Sequence, residues 1–158
     1  LEMLSQQGDI CQHAIIESAA VISSGITNAL ISPAFWLSYP LVRQRWFARL
    51  QFRQLRLRAD LFEDYYRDTA AVQKADMIAF LKASASYRLK RSIQKSTADI
   101  HLFYGEKEKR IIKRSAVLIN DTVRACSVTE LPGMFHGDFS VNHPPAYVNA
   151  VKAIADKR

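Results

Sequence analysis

Apolar positions along this chain of 158 residues form two kinds of pattern. Short apolar runs predict strands at residues 10–18 (ICQHAIIES), 99–105 (DIHLFYG) and 124–131 (RACSVTEL). The first run is apolar on both faces, which is typical of a buried parallel strand. Because helical patterns separate the runs, the strands are predicted to be parallel and joined by right-handed crossovers.

The longest separation, residues 19–98, contains no further strand pattern. Its apolar residues recur at helical spacing in several stretches, and Pro33 and Pro40 are expected to punctuate the first of them. This segment is therefore predicted to be an all-helical insert of roughly 75 residues between strands. Helical patterns also occupy residues 1–7, 107–121 and 145–157, where Pro144 and Pro145 favour a helix start.

Arginines recur between residues 42 and 58 and contribute much of the net charge of +7. Arg45, Arg49 and Arg53 are four apart and would line one face of a helix. A solvated helix with its own counter-charges explains this pattern. Binding of a nucleic acid or an acidic substrate is the sharper alternative.

The same segment predicts which residues flank that charged face. Trp46, Leu50 and Leu57 are expected to form a neighbouring apolar stripe, as in an amphipathic helix. Arg56 and Asp60 stand at i,i+4 spacing and are expected to pair.

The composition, 49% hydrophobic and 23% charged, predicts one globular domain rather than a disordered chain. No apolar run approaches the roughly 18 residues of a membrane span, and no secretory signal pattern opens the chain. Cys11 and Cys126 lie inside predicted strands without metal-ligand spacing, so buried free thiols are expected. A soluble cytoplasmic protein is the interpretation that follows, with no membrane partner.

Residues 131–144, LPGMFHGDFSVNHP, place His136 on a short loop after the third predicted strand. Gly133 and Gly137 flank it, so the backbone there can approach another group closely. The simpler alternative is that His136 is a loop histidine without a functional role. His143 precedes Pro144 and is expected to belong to a helix entry.

The predicted elements and two loop motifs follow a recognisable order along the chain. This order is a helix end, a strand ending IIESA, a helical insert, the motif LFYGEKE, a helix, a strand and the motif PGMFHG. This order resembles the second half of an α/β-hydrolase fold enzyme, over essentially the whole sequence. The resemblance implies an α/β fold class: a partial α/β-hydrolase fold of three parallel strands with flanking helices and an inserted all-helical cap. It divides the chain into residues 1–20 (end of a core helix and a core strand), 21–97 (cap or lid) and 98–158 (C-terminal part of the core).

The same resemblance implies catalytic roles. His136 matches the family's general base, and Glu108 in GEKE matches the acid that orients the imidazole. Most relatives carry Asp at that position, and Glu106 and Glu17 are alternative acids. Acidic residues at a helix start are also favoured by the helix dipole alone.

The resemblance further implies a small-molecule substrate in the parent enzyme, a serine-type hydrolase acting on an ester, amide or similar bond. Four aromatic residues of the insert are candidate pocket lining, although packing between cap helices would also explain them. They are Trp36, Trp46, Phe47 and Tyr65. Nothing in the sequence suggests a metal or an organic cofactor.

The family's G-x-S-x-G nucleophile elbow is absent from the sequence. Gly133 and Gly137 are four apart, but Phe135 stands between them. The chain is therefore expected to be a fragment that is inactive alone and that pairs with the missing N-terminal half of the fold or with another chain. In the implied sheet, Cys11 and Cys126 would lie roughly 9.6 Å apart, too far for a disulfide.

An alternative from a different class keeps the fold without catalysis. In that interpretation, the chain is a non-catalytic α/β-hydrolase-like module that binds an acidic partner through its arginine-rich helix. Nucleic acid is the less expected partner.

Overall fold

The computed structural model describes residues 1–23 and 25–156, with only the backbone described for residues 26–28. The strands are β1 (His13–Glu17), β2 (Asp99–Gly105) and β3 (Cys126–Leu131). They form a sheet in the order β1-β2-β3, and both neighbouring pairs are parallel. The prediction of three parallel strands is confirmed, although β1 and β3 begin two to three residues later than their apolar runs.

Helices make up most of the remaining structure. They are α1 (Glu2–Gln6), α2 (Gly25–Val42), α3 (Arg45–Leu55), α4 (Phe62–Ala71), α5 (Lys74–Ser86), α6 (Arg110–Thr122), α7 (Asp138–Asn142) and α8 (Pro144–Ala155). Short 3-10 turns occupy Ala59–Leu61 and Arg91–Lys95. Leu1–Ile22 and Tyr87–Arg158 form one compact unit that contains the sheet, and Ser23–Ser86 form a second, helical unit. The second unit lies within the predicted insert, whose role as a cap stays a prediction.

The core of the first unit lies between the sheet and α6. Side chains alternate across β2, so Ile100 and Leu102 face the same side and are each 1% exposed. Ile119 of α6 is completely buried in the same cluster. Where the chain leaves β1, the N–H of Val21 donates to Ser115 Oγ at 3.1 Å, which joins this segment to α6.

The opposite face of the sheet packs against the two C-terminal helices. Phe103 of β2 contacts Phe139 of α7 and Ile154 of α8 in a second cluster. Pro144 is the first residue of α8, where its missing N–H costs no hydrogen bond. β1 is an edge strand among the described residues, and each of its five residues is only partly buried.

The apolar stripe predicted for the arginine-rich helix is wrong for Trp46 and Leu50, whereas Leu57 packs against the buried cluster of this unit. Trp46 and Leu50 of α3 are 62% and 50% exposed, whereas Ala48 and Phe52 are buried. The buried pair stands at i,i+4 spacing and packs against Phe62 of α4, which defines the core of the second unit. The helical pattern was correct, but the tertiary partner selected a different face.

The predicted pairing of Arg56 with Asp60 stays a prediction, but Asp60 has another basic partner. The Asp60 carboxylate accepts hydrogen bonds from the guanidinium of Arg58. Arg56 lies beyond the end of α3 in the left-handed conformation, with φ at +56°. The helix therefore ends before Asp60, so Arg56 and Asp60 do not share one turn of α3.

Pro33 and Pro40 do not punctuate the first helix of the insert. Both lie inside α2, which continues from Gly25 to Val42. Tyr39 of this helix donates its hydroxyl to Val72 O at 3.0 Å, so α2 is tied to the segment that precedes α5. Tertiary packing of this kind overrides a local helix-breaking preference.

Cys11 lies outside β1 and is exposed, contrary to the prediction, while Cys126 is the first residue of β3 and is partly buried. Both carry free thiols. Within the described part of the chain, no helix combines the length and apolar character needed to cross a bilayer.

Candidate active site

Two loops meet at the carboxyl ends of β2 and β3. Residues 106–109 follow β2 and are called the acid loop here, and residues 132–137 follow β3 and are called the histidine loop. The N–H of Lys107 donates to Met134 O at 2.9 Å, which bonds one loop to the other through the backbone. Neighbouring parallel strands end at the same edge of a sheet, so such loops are brought together by topology alone.

Gly105, the last residue of β2, allows this close approach. A Cβ atom at this position would lie 2.2 Å from Met134 O, a distance that no side chain tolerates. Next to it, the Glu106 carboxylate accepts the N–H of Gly133 at 2.7 Å. Glu106 therefore contacts the backbone of the histidine loop.

The acid loop and the histidine loop also bring together the two residues predicted to act as base and acid. Nδ1 of His136 lies 3.1 Å from Oε2 of Glu108. The Glu108 side chain is 1% exposed, whereas the His136 side chain is 68% exposed. A buried carboxylate thus faces one nitrogen of an imidazole that is otherwise open to solvent.

The second carboxylate oxygen of Glu108 is buried without a hydrogen-bond partner among the described residues. An unsatisfied buried oxygen costs about 1–3 kcal/mol. Among the described residues, His136 is the one hydrogen-bond partner of the Glu108 carboxylate. This contact orients the carboxylate toward the imidazole.

Glu17, the other alternative acid, is placed near the same loop by β1. Its carboxylate accepts the N–H groups of Phe139 and Ser140 at 3.0 and 3.2 Å. No described hydrogen bond joins it to His136. Of the three candidate carboxylates, Glu108 is the one that contacts the imidazole.

The four aromatic candidates for pocket lining all lie in the second unit. Trp36 is 65% exposed and Trp46 is 62% exposed, and Trp46 stacks edge-on against Phe47. Tyr65 packs on Phe52 instead, and burial raises the pKa of its hydroxyl. Tyr65 is thus a component of the helical core, while both tryptophans are surface residues of this unit.

The remaining three histidines lie in the sheet or at the start of a helix. His101 Nδ1 lies 3.0 Å from Ser127 Oγ, and His101 Nε2 lies 3.4 Å from His13 Nδ1, so both rings have polar neighbours within the sheet. His143 precedes α8, and its carbonyl accepts the N–H of Tyr147. In the described ranges, His, Cys, Asp and Glu side chains do not gather in a group of three or more that could hold a metal ion.

Two residues of the site were missed from the sequence. Ser18 is buried with φ at +54°, and its hydroxyl accepts the N–H of Gly137 at 3.2 Å. No local sequence signal marks it, because the need for a hydroxyl there comes from a loop more than a hundred residues away. Asp138 accepts the N–H of Phe135, three residues earlier, at 3.0 Å, and its sequence context carries no Asx-turn signal for this bond.

Comparison with known proteins identifies the fold that carries this site. No family model matches the sequence, and no curated protein matches it. Solved structures do match. They include a serine hydrolase involved in carbazole degradation, with a TM-score of 0.67 and 11% identity, and a carboxylesterase of the thaumarchaeon Nitrososphaera gargenis, with a TM-score of 0.63 and 11% identity.

NosK from Streptomyces actuosus is a further match, with a TM-score of 0.57 and 14% identity. These alignments cover 99%, 98% and 96% of this chain, in the order given, but only 58%, 59% and 61% of the matched chains. The chain thus has the fold of α/β-hydrolase enzymes and spans about three fifths of their length. The predicted resemblance is confirmed at the level of the fold.

Proposed function

We propose that this chain supplies the acid–base part of a serine-type α/β-hydrolase that acts on an ester, amide or similar bond. The observation that carries the proposal is the 3.1 Å contact between His136 Nδ1 and the buried Glu108 carboxylate. His136 is the general base, and Glu108 is the acid that orients it. The nucleophile belongs to the part of the fold that this chain does not span.

The chemistry follows from the two nitrogens of the imidazole. When Nδ1–H donates to the Glu108 carboxylate, Nε2 of the neutral ring carries the lone pair that can accept a proton from a nucleophile. The carboxylate then stabilises the imidazolium that forms, and Nε2 returns the proton to the leaving group. The exposure of the His136 side chain is consistent with access to such a reaction partner.

The burial of Glu108 supports its role over the other two carboxylates. Coulombic attraction is stronger where water is excluded, so a buried acid stabilises the imidazolium more than an exposed one. Glu106 and Glu17 instead bond to backbone N–H groups of the neighbouring loop and helix. They hold the chain that carries the base.

The proposal can be tested on the protein from its natural source. An intact mass would establish whether the molecule is longer than this chain, and a fluorophosphonate probe would report an activated serine. With the complete fold present, His136→Ala is expected to abolish labelling. Glu108→Gln is expected to slow labelling by about 10⁴-fold, the loss that follows when an imidazole is held in the wrong tautomer.

His143→Ala is the matched control, because it removes a histidine seven residues away that borders α8. It should leave the labelling rate unchanged. If His136→Ala still labels at the original rate, the proposed base is wrong. If Glu106→Gln or Glu17→Gln lowers the rate as far as Glu108→Gln does, the acid is misassigned.

A second function is favoured by an observation in the helical unit. An open cavity of about 640 Å³ is lined by Arg49, Arg53 and Arg56, together with Asp60 and Glu63. The two acids are already engaged, since Arg58 bonds Asp60 and Arg45 bonds Glu63. The guanidinium groups that line the cavity suit carboxylates or phosphates, so an acidic partner would be its ligand.

This alternative predicts that the chain binds a polyglutamate peptide with an affinity that falls steeply as salt is added. The double substitution of Arg49 and Arg53 by Ala should abolish that binding. Arg67→Ala is the control, because Arg67 pairs with Asp64 and Asp68 on the neighbouring helix. Equal binding by both variants would exclude the cavity as the site.

A further inference from the structure

The end of β1 contacts the chain immediately after His136. Glu17 is the last residue of β1, and Ser18 follows it. Both side chains accept hydrogen bonds from backbone N–H groups of residues 137–140, a segment that begins one residue after the proposed base. The sequence separation is more than a hundred residues, so the contact exists only in the folded chain.

Three donors are bound in this way. The N–H of Gly137 donates to Ser18 Oγ at 3.2 Å. The N–H of Phe139 donates to one carboxylate oxygen of Glu17 at 3.0 Å, and the N–H of Ser140 donates to the other at 3.2 Å. Because both carboxylate oxygens bond the first turn of α7, Glu17 is committed to the backbone.

The backbone conformation at Gly137 explains why such hydrogen bonds are needed. Gly137 has φ at +68°, a conformation that glycine adopts at little steric cost. Glycine also permits many other backbone conformations, so Gly137 by itself does not fix the direction of the chain after His136. Three hydrogen bonds, two of them to a carboxylate, remove that freedom from the next residues of the chain.

Ser18 itself is held in a conformation that serine rarely adopts. Its φ is +54°, it is 7% exposed, and its N–H donates to Phe103 O at 2.9 Å. Such a backbone persists only where the surrounding structure imposes it, and it turns the chain at the end of β1. The hydroxyl reaches Gly137 from that turn.

We propose that Glu17 and Ser18 are positioning residues that hold His136 in register with Glu108. They act through the backbone of residues 137–140 and leave the proton transfers to the imidazole. The catalytic consequence depends on the function proposed above, whereas the positioning itself is a property of this chain alone. It can therefore be measured without the nucleophile.

The experiment is nuclear magnetic resonance on this chain, with two readouts. Amide hydrogen exchange reports the bonds to residues 137, 139 and 140. The ring nitrogen shifts of His136 report whether Nδ1 keeps the proton that faces Glu108, a property that general destabilisation does not change. Glu17→Gln keeps the size of the side chain but replaces one acceptor oxygen by a donor.

In Glu17→Gln, exchange at Phe139 and Ser140 should accelerate about tenfold or more, since a hydrogen bond to a charged group contributes about 1.5–3 kcal/mol. The His136 ring should then populate both tautomers. Ser18→Ala should accelerate exchange at Gly137 and shift the same ring equilibrium less. Glu130→Gln removes a carboxylate that pairs with Lys113 and should change neither readout.

An unchanged His136 tautomer in Glu17→Gln, with faster exchange at Phe139 and Ser140, would overturn the proposal. If Glu17→Gln fails to fold, Ser18→Ala decides by the same criterion. Failure of the proposed function would appear elsewhere, as fluorophosphonate labelling that survives His136→Ala. The two results are independent, so one proposal can stand while the other falls.

Discussion

Gly105 is the residue at which the two loops come closest. The absence of a side chain, rather than an unusual backbone angle, is what the site requires there. A Cβ atom at Gly105 would clash with the backbone carbonyl of Met134. Because the clashing atom belongs to the backbone, a change of side-chain rotamer cannot relieve the clash. The residue thus sets the distance between the acid loop and the histidine loop.

Gly105→Ala is expected to destabilise the chain by about 3 kcal/mol, because the loops must separate to admit the methyl group. The change is measured from the urea midpoint. Gly25→Ala is the control, since a Cβ there meets nothing within 4 Å. Equal midpoints for the two variants would mean that the loops are free to move apart.

The two cysteines differ in their surroundings and should differ in reactivity. Burial raises the pKa of the Cys126 thiol, whereas Cys11 is exposed. At a given pH a raised pKa leaves less thiolate, and the thiolate is the reacting form. Cys126 is therefore expected to react with a disulfide reagent more slowly than Cys11.

The pH dependence gives a second check on the thiols. The rate at Cys126 should still be rising above the ordinary thiol pKa, because its ionisation is displaced upward. Rates are measured separately in Cys11→Ser and Cys126→Ser. Comparable rates in the two variants across that range would contradict the prediction.

Among the elements, α3 illustrates how a helix selects its buried face. The sequence pattern predicted a stripe that includes Leu50, but the structure buries Ala48 and Phe52 instead. Phe52 meets Phe62 edge-on with ring centroids 5.4 Å apart, while Leu50 stays half exposed. The aromatic contact therefore decides the orientation of the helix within its unit.

Phe52→Ala is expected to cost about 3–5 kcal/mol, since it leaves a cavity beside Phe62. Leu50→Ala should cost less than about 1 kcal/mol because its side chain is already in solvent. Thermal or urea unfolding measures both values. A larger loss in Leu50→Ala would mean that the surface leucine is covered by something in solution.

The sequence predicted most elements but few of their boundaries. The range predicted for β2 was correct to the residue, and α6 and α8 were found from their apolar periodicity. The five-residue helix α7 was not predicted, because one turn and a half carries no periodic signal. It forms where Glu17 binds its first N–H groups, so a distant residue contributes the stability that its own sequence lacks.

At the scale of the whole molecule, the chain divides into two compact units. The sheet-containing unit is interrupted by the helical unit between Ile22 and Tyr87. The chain leaves and re-enters beside one hydrophobic cluster, because Val21 is buried in it and Tyr87 packs against it. Both ends of the interruption therefore border the same hydrophobic cluster.

Replacing residues 23–86 by a flexible Gly/Ser linker is expected to leave the sheet-containing unit folded, because that unit is compact by itself and both ends border one hydrophobic cluster. Amide resonances of β2 should superimpose on those of the intact chain. Loss of the β2 resonances in the shortened chain would show that the two units fold only together.

By itself the sequence determined the alternation of strands and helices, the parallel sheet and the loop residues His136 and Glu108 as candidates. The alternation and the parallel sheet follow from local periodicity and connection lengths, whereas the two candidates follow from the resemblance of the order of elements to the α/β-hydrolase family. Only the tertiary structure decided which of three carboxylates meets the imidazole, because the distance between loops after different strands depends on register and packing. It also revealed Ser18 and the role of Glu17, whose partners are distant in sequence and whose contacts no local pattern records.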